Sequence, residues 1–103
     1  MGRGRRRGRR WVGAMPRCNR FGPEGPHGKE VKVITVSVEE LEAMRLVDLE
    51  GLQQEEAAAE MGVSRKTLWT DLKSARKKVT QALVNGWAIS IEGGNYILRD
   101  RSY

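Results

Sequence analysis

The sequence predicts a mainly α fold with a small flanking β element and a disordered basic N-terminal arm. Three patterns carry that reading. Leu68, Leu72, Ala75, Val79 and Ala82 step by four and three residues, which marks one face of a helix. Helix-start and helix-stop residues recur in order before and after it, at Ser37, Gly51, Gly62, Ser64 and Gly86. Met1–Arg10 is Gly/Arg-rich and too apolar-poor to offset its ordering entropy, so it is expected to be a solvated tail.

The chain has 103 residues and a net charge of +6, which bounds it to one small domain with a tail. A single Cys and a single His exclude a disulfide framework and a four-ligand zinc site within one chain. Cys18 and His27 stand alone in loop sequence, so no metal, cofactor or catalytic role is assigned to them. No stretch approaches the ~20 apolar residues of a membrane span. The basic run at the start lacks the apolar segment of a secretory signal. A soluble, cytoplasmic protein is expected.

Charge is unevenly placed. Residues 1–20 hold eight arginines (Arg3, Arg5, Arg6, Arg7, Arg9, Arg10, Arg17, Arg20) and no acid, leaving residues 21–103 at −2 against the overall +6. Residues 39–60 hold eight acids and one base, whereas residues 64–78 hold six bases and one acid. An acidic block beside a basic block implies one face suited to polyanions and another held away from them.

The elements follow in chain order. Residues 13–29 have loop composition, with Pro16, Pro23, Pro26 and several glycines. The β-branched run around Val31–Val36 predicts a short strand. Ser37-Val38-Glu39-Glu40 has the S-x-x-E form of a capping box and opens a helix to about Leu49. Gly51 ends it, and a second helix runs from about Gln53 to Met61. Its Ala57, Ala58 and Ala59 permit close approach of a neighbouring helix. Gly62-Val63-Ser64 is a tight turn, with Ser64 capping a third helix to about Asn85. The runs Ala88–Ile91 and Asn95–Leu98, divided by Gly93-Gly94, suggest a hairpin; the first run can also pair with 31–36. The expected organisation is an arm and loop over 1–29, a domain over 30–98, and a tail over 99–103.

A helix, a tight turn and a second helix with a basic outer face form a helix-turn-helix. Its recognition helix is residues 64–85. The residues expected to meet base edges of double-stranded DNA are Arg65, Lys66, Trp69 and Thr70. Lys73, Arg76, Lys77 and Lys78, further along, are expected to hold phosphates. Arg3, Arg5, Arg6, Arg7, Arg9 and Arg10 form a counterion-releasing arm. The plain alternative is a helical hairpin with a merely hydrated basic face, and for Trp69 a partly buried aromatic is the stronger reading. Two other functions stand beside DNA reading: a module docking on transcription machinery through its acidic helices, and a non-specific nucleic-acid binder led by the arm. A homodimer is compatible with the first. No Ser/His/Asp, Cys/His or paired-carboxylate arrangement supports an enzyme.

The blocks Thr35–Leu46, Asp48–Ala58, Met61–Thr67, Ser74–Val79, Ala82–Gly86 and Ile91–Tyr96, in this order and spacing, resemble a family of small prokaryotic proteins of unknown function. Its members are described as predicted DNA-binding proteins (domain of unknown function one-three-four). The family's helix-turn-helix is similar to region four of bacterial sigma factors, which binds promoter DNA through its second helix. The resemblance covers most of residues 5–98 and implies the same role for Ser64–Val79. The chain departs from the family pattern at Gln53, where Ser is usual.

Overall fold

The computed structural model of the chain describes residues 9–24 and 31–98. Arg3, Arg5, Arg6, Arg7, His27 and the tail 99–103 lie outside them. The elements are β1 (Arg10–Val12), β2 (Arg20–Phe21), β3 (Val33–Val36), α1 (Val38–Met44), α2 (Gln54–Met61), α3 (Arg65–Asn85), β4 (Ala88–Ile91) and β5 (Tyr96–Leu98). Between α1 and α2, Arg45–Leu49 continues α1 as a π-helical turn. The chain is thus helical to Leu49, as the sequence predicts, but its last turn is wider than an α-helix.

Each helix begins and ends for a local reason. Ser37 Oγ accepts from Glu40 N, and Glu40 Oε1 accepts from Ser37 N at 2.9 Å, so the capping box forms in both directions. At α2, the Glu56 carboxylate accepts the Gln53 N–H at 2.8 Å. Gly62 has φ +69°, a conformation that costs any residue with a Cβ, and it ends α2. Ser64 then caps α3 through Thr67 N at 3.1 Å.

The core lies between these helices. Ala43, Leu46, Ala57, Ala58, Met61, Leu68 and Leu72 form its main cluster, closed by Met44, Val47, Leu52 and Val63. Ala57 and Ala58 allow α2 to approach α3 closely, and Leu68 and Leu72 fill that contact. A smaller cluster of Val12, Val38 and Ile91 joins the strands to α1.

Two sheets bracket the helices. β3 and β4 pair in parallel, from Val33 opposite Ala88 to Val36 opposite Ile91. β2 pairs antiparallel on the other side of β4. β1 and β5 form a separate parallel pair, with Arg10 opposite Tyr96 and Val12 opposite Leu98.

The expected hairpin over 88–98 does not form. Both edges of β4 are occupied by β2 and β3, so the following residues have no place beside it. Gly93 (φ +76°) and Gly94 (φ +107°) instead carry the chain over the start of α1. There Gly93 O accepts the Val38 N–H at 3.2 Å, and Asn95 N–H donates to Glu39 at 3.1 Å. The alternative pairing, of 88–91 with the strand in 31–36, is the one present. The region read as arm and loop also contributes β1 and β2, which local composition does not signal because their partners lie more than 65 residues away.

Truncating the core contact as Leu72→Ala should destabilise the fold by about 2–5 kcal/mol. Gly62→Ala should cost about 1–2 kcal/mol through positive φ. Urea denaturation of each variant measures both; an unchanged midpoint for Leu72→Ala would contradict its place in the core.

Candidate nucleic-acid interface

α3 places its inward stripe and its outward residues on opposite sides. Leu68, Leu72, Ala75 and Ala82 are buried. On the opposite side Lys66, Thr70, Lys73 and Lys77 are exposed, and each meets the solvent from one continuous stripe of the helix. Trp69, on the flank of that stripe, retains 39% of its surface exposed and is neither core nor fully free. Arg65 is exposed at the first turn, 3.7 Å from the Glu55 carboxylate across the turn to α2. The Thr70 hydroxyl donates to Lys66 O at 3.1 Å. This leaves its oxygen as an acceptor toward solvent.

The four residues expected to hold phosphates separate into two pairs. Lys73 and Lys77 are exposed. Arg76 instead forms a two-point ion pair with Asp48, at 2.6 and 3.1 Å. The Arg76 guanidinium holds the Asp48 carboxyl below its usual range. Lys78 is turned toward α1, where its ammonium lies 2.9 and 3.1 Å from the two oxygens of Glu40. Lys78, expected to hold phosphate, is thus tied to Glu40 of α1 by an ion pair. The reason is rotational: at 100° per residue Lys78 projects toward the Ser74 side of the helix, away from Lys66, Lys73 and Lys77.

The arm is corrected at its root. Arg10 is not a free arm residue, because its guanidinium makes a two-point ion pair with Asp71 of α3, at 3.0 and 3.2 Å, with both side chains largely buried. Burial pushes the Asp71 carboxyl up, against the effect of Arg10, and nearby Glu39 and Glu40 push in the same direction as burial. Arg9, the residue before it, is exposed.

The acidic block is not one surface. Glu39, Glu40 and Glu42 are buried. Glu42 accepts from Arg45 at 2.8 Å through each oxygen and from Gly13 N–H at 2.8 Å. Glu40 takes Ser37 N–H, the Ser74 hydroxyl and Lys78 together. Glu40 thus fastens α1 to α3, Glu42 fastens α1 to the residue after β1, and Glu39 holds the Asn95 N–H. The acids left in solvent are Asp48, Glu50, Glu55 and Glu56. Sequence reasoning placed Arg10 in the arm and missed its pairing with Asp71, and it missed the Glu40 cluster; the S-x-x-E pattern marked Glu40 as a cap, but nothing in the sequence marks its partners on α3.

Cys18 is exposed, and its thiol donates to Arg20 O at 3.3 Å. Among the described residues no group of three or more His, Cys, Asp or Glu is arranged to hold a metal ion. Among them, too, no helix is long and apolar enough to cross a membrane.

These features define a class: a small three-helix unit, edged by short strands, that presents one basic helix face to solvent. The chain belongs to the family described as protein of unknown function DUF134, whose model matches residues 1–99. It is 51% identical over 100 residues to a UPF0251 protein of Methanosarcina acetivorans, covering 97% of this chain and 89% of that one. A UPF0251 protein of Thermoanaerobacter pseudethanolicus is 52% identical over 88% of this chain and 77% of its own length. One from Methanocella arvoryzae is 49% identical over 89% of this chain, which spans 55% of that relative. No solved structure matches the chain.

The Glu40 cluster makes stability depend on pH with a defined sign. Burial alone would raise its pKa, but the Ser74 hydroxyl, the Ser37 N–H and Lys78 together outweigh burial and hold it below 4.5. A carboxyl lowered on folding stabilises the protein above its unfolded pKa, and that contribution is lost as pH falls through the folded one. Glu40→Gln should therefore be less stable than the parent at neutral pH, with the gap closing below pH 4.5. Urea titrations of both proteins at several pH values check this; a gap independent of pH would contradict it.

Proposed function

We propose that this chain is a cytoplasmic DNA-binding protein, acting as a transcriptional regulator rather than an enzyme. In this reading α2, the turn Gly62–Ser64 and α3 form a helix-turn-helix similar to sigma factor region four, and α3 lies in the major groove. The observation that carries it is the exposed stripe Lys66, Thr70, Lys73 and Lys77, on a helix fixed by its buried side and capped by Ser64. Helix-turn-helix proteins place the N-terminal residues of the second helix against base edges. Arg65, Lys66, Trp69 and Thr70 occupy those positions. Arg and Lys donate to guanine O6 and N7, and Thr meets a polar edge or a thymine methyl. Lys73 and Lys77 hold phosphates, and Arg76 joins them only by exchanging Asp48 for a phosphate oxygen. The unburied acids Glu55 and Glu56 favour a second role on the same domain, docking on transcription machinery. A homodimer fits a divided DNA site.

Selection of bound duplexes from a random pool at near-physiological salt tests the reading. The full chain should enrich one core sequence, and a form lacking residues 1–10 should retain that preference. Lys66→Ala or Thr70→Ala should weaken binding to the enriched core by about 1–3 kcal/mol and relax its sequence. Lys73→Ala should weaken all duplexes alike and lower the salt slope by about 1. Absence of any enriched core, with binding lost on truncation, would leave a non-specific binder led by the arm.

A further inference from the structure

α3 changes character along its length. Residues 65–78 carry six bases and one acid, whereas Val79–Ile91 carry no charge in a chain that is 31% charged. The outward stripe of Lys66, Thr70, Lys73 and Lys77 continues through Thr80 to Val84, in steps of four and three residues. There it turns apolar: Val84 and its neighbour Leu83 keep 76% and 75% of their surface in water. Beside Leu83 lies a groove of about 320 Å³, walled by Phe21, Ala82, Leu83, Trp87 and Ile89. Its volume is about twice that of the ~150 Å³ apolar cavity that holds a benzene ring. Trp87 is a fixed wall, because the Lys32 ammonium sits 4.2 Å from the centre of its ring.

We propose that this ridge and groove are the contact between two copies of the chain, related by a twofold axis, with Leu83 of each copy seated in the groove of the other. Ridge and groove occupy one patch, as a twofold contact requires: each copy supplies both the knob and the hole. The patch is free of charge, and charged residues are the ones depleted from the core of an interface. Two chains of +6 each also approach with least repulsion through uncharged surface. Leu83, Val84 and Phe21, with the edges of Trp87 and Ile89, expose on the order of 400 Å² of apolar surface per copy, the scale of a functional patch on a small protein. A standard interface takes about 800 Å² from each partner, polar rim included. The exposed Thr80 and Asn85 begin that rim. An apolar core of this size suits a dimer that exchanges with monomer at micromolar concentration.

The contact sets a spacing for DNA, and this part rests on the reading of α3 as a major-groove helix. The centre of Arg65–Thr70 lies about sixteen residues from Leu83 and Val84, hence about 24 Å along α3. Two copies joined at that end hold their base-facing turns up to about 48 Å apart. Half-sites one duplex turn apart, about 34 Å, are met when both helices incline to the line joining them. The bound sequence is then an inverted repeat.

Sedimentation equilibrium of the full chain, from about 1 to 100 μM, should show the mass rising from 11.6 kDa toward twice that value. Leu83→Glu should weaken the dimer at least about tenfold and leave the circular dichroism spectrum unchanged, since the side chain it replaces is exposed. Val84→Glu, on the stripe itself, should do the same and keeps the test intact if Leu83→Glu loses helical signal. Leu49→Glu, at a leucine that is 77% exposed on another element, should leave the dimer as it is. A parent chain that stays monomeric throughout overturns the proposal and leaves the groove to a different apolar partner. So does a dimer that survives Leu83→Glu and Val84→Glu, or one that Leu49→Glu disrupts equally. Duplex selection separates this from the reading of α3. The parent should enrich an inverted repeat and Leu83→Glu a single half-site. A dimer that enriches no core keeps the contact and overturns the reading of α3; a monomer that enriches an undivided core does the reverse.

Discussion

The parallel pairing of β3 with β4 is the constraint on which the rest of the structure depends. Two parallel strands cannot be joined by a tight turn and need a long crossover. Here that crossover is the entire helical unit, from Val38 to Asn85. The four residue pairs from Val33–Ala88 to Val36–Ile91 bring the entrance of α1 and the exit of α3 to one place. With both ends held, the α1, α2 and α3 contact closes as a ring of packing rather than an open helical array. The small cluster of Val12, Val38 and Ile91 then seals strands to helices.

Buried ion pairs complete this arrangement where apolar contact is thin. Glu40 joins the start of α1 to Ser74 and Lys78 of α3. Glu42 joins α1 to Arg45 and to the backbone after β1. Asp71 joins α3 to Arg10. Buried carboxylates are costly unless paired and hydrogen-bonded, and each of these three has several donors. A small domain has little apolar surface to bury, so such clasps specify how helices and strands meet. They also divide the cations of α3 by role. Lys78, on the Ser74 side, is bound to Glu40, and the exposed Arg76 to Asp48, whereas Lys66, Lys73 and Lys77 stay exposed on the outward stripe.

The proposed function and the fold share one element. α3 is held rigidly along its buried side and bears its unpaired charge along the other. A helix built in this way can enter a groove without reorganising. The strand β1 is tied to that helix by the Arg10–Asp71 ion pair. Asp48, Glu50, Glu55 and Glu56 are exposed on the remaining helical surface, the first three beside Arg76, Arg45 and Arg65.

The helices were legible in the sequence because their signals are local. The capping box at Ser37 and Glu40, the glycine at 62, the Ser64 cap and the stripe from Leu68 to Ala82 each act within a few residues. The outward position of Lys66, Thr70, Lys73 and Lys77 follows from helical period alone. The partners of the strands and of the buried charges were decided only by tertiary structure. Gly93-Gly94 reads locally as a hairpin, yet β4 has both edges filled, so the chain is redirected to β1. Lys78 and Arg10 read as surface cations until Glu40 and Asp71, 38 and 61 residues away, claim them. Helix signals are short-range bonds within one turn, whereas strand pairing and buried ion pairs are contacts between distant residues that only a closed fold brings together.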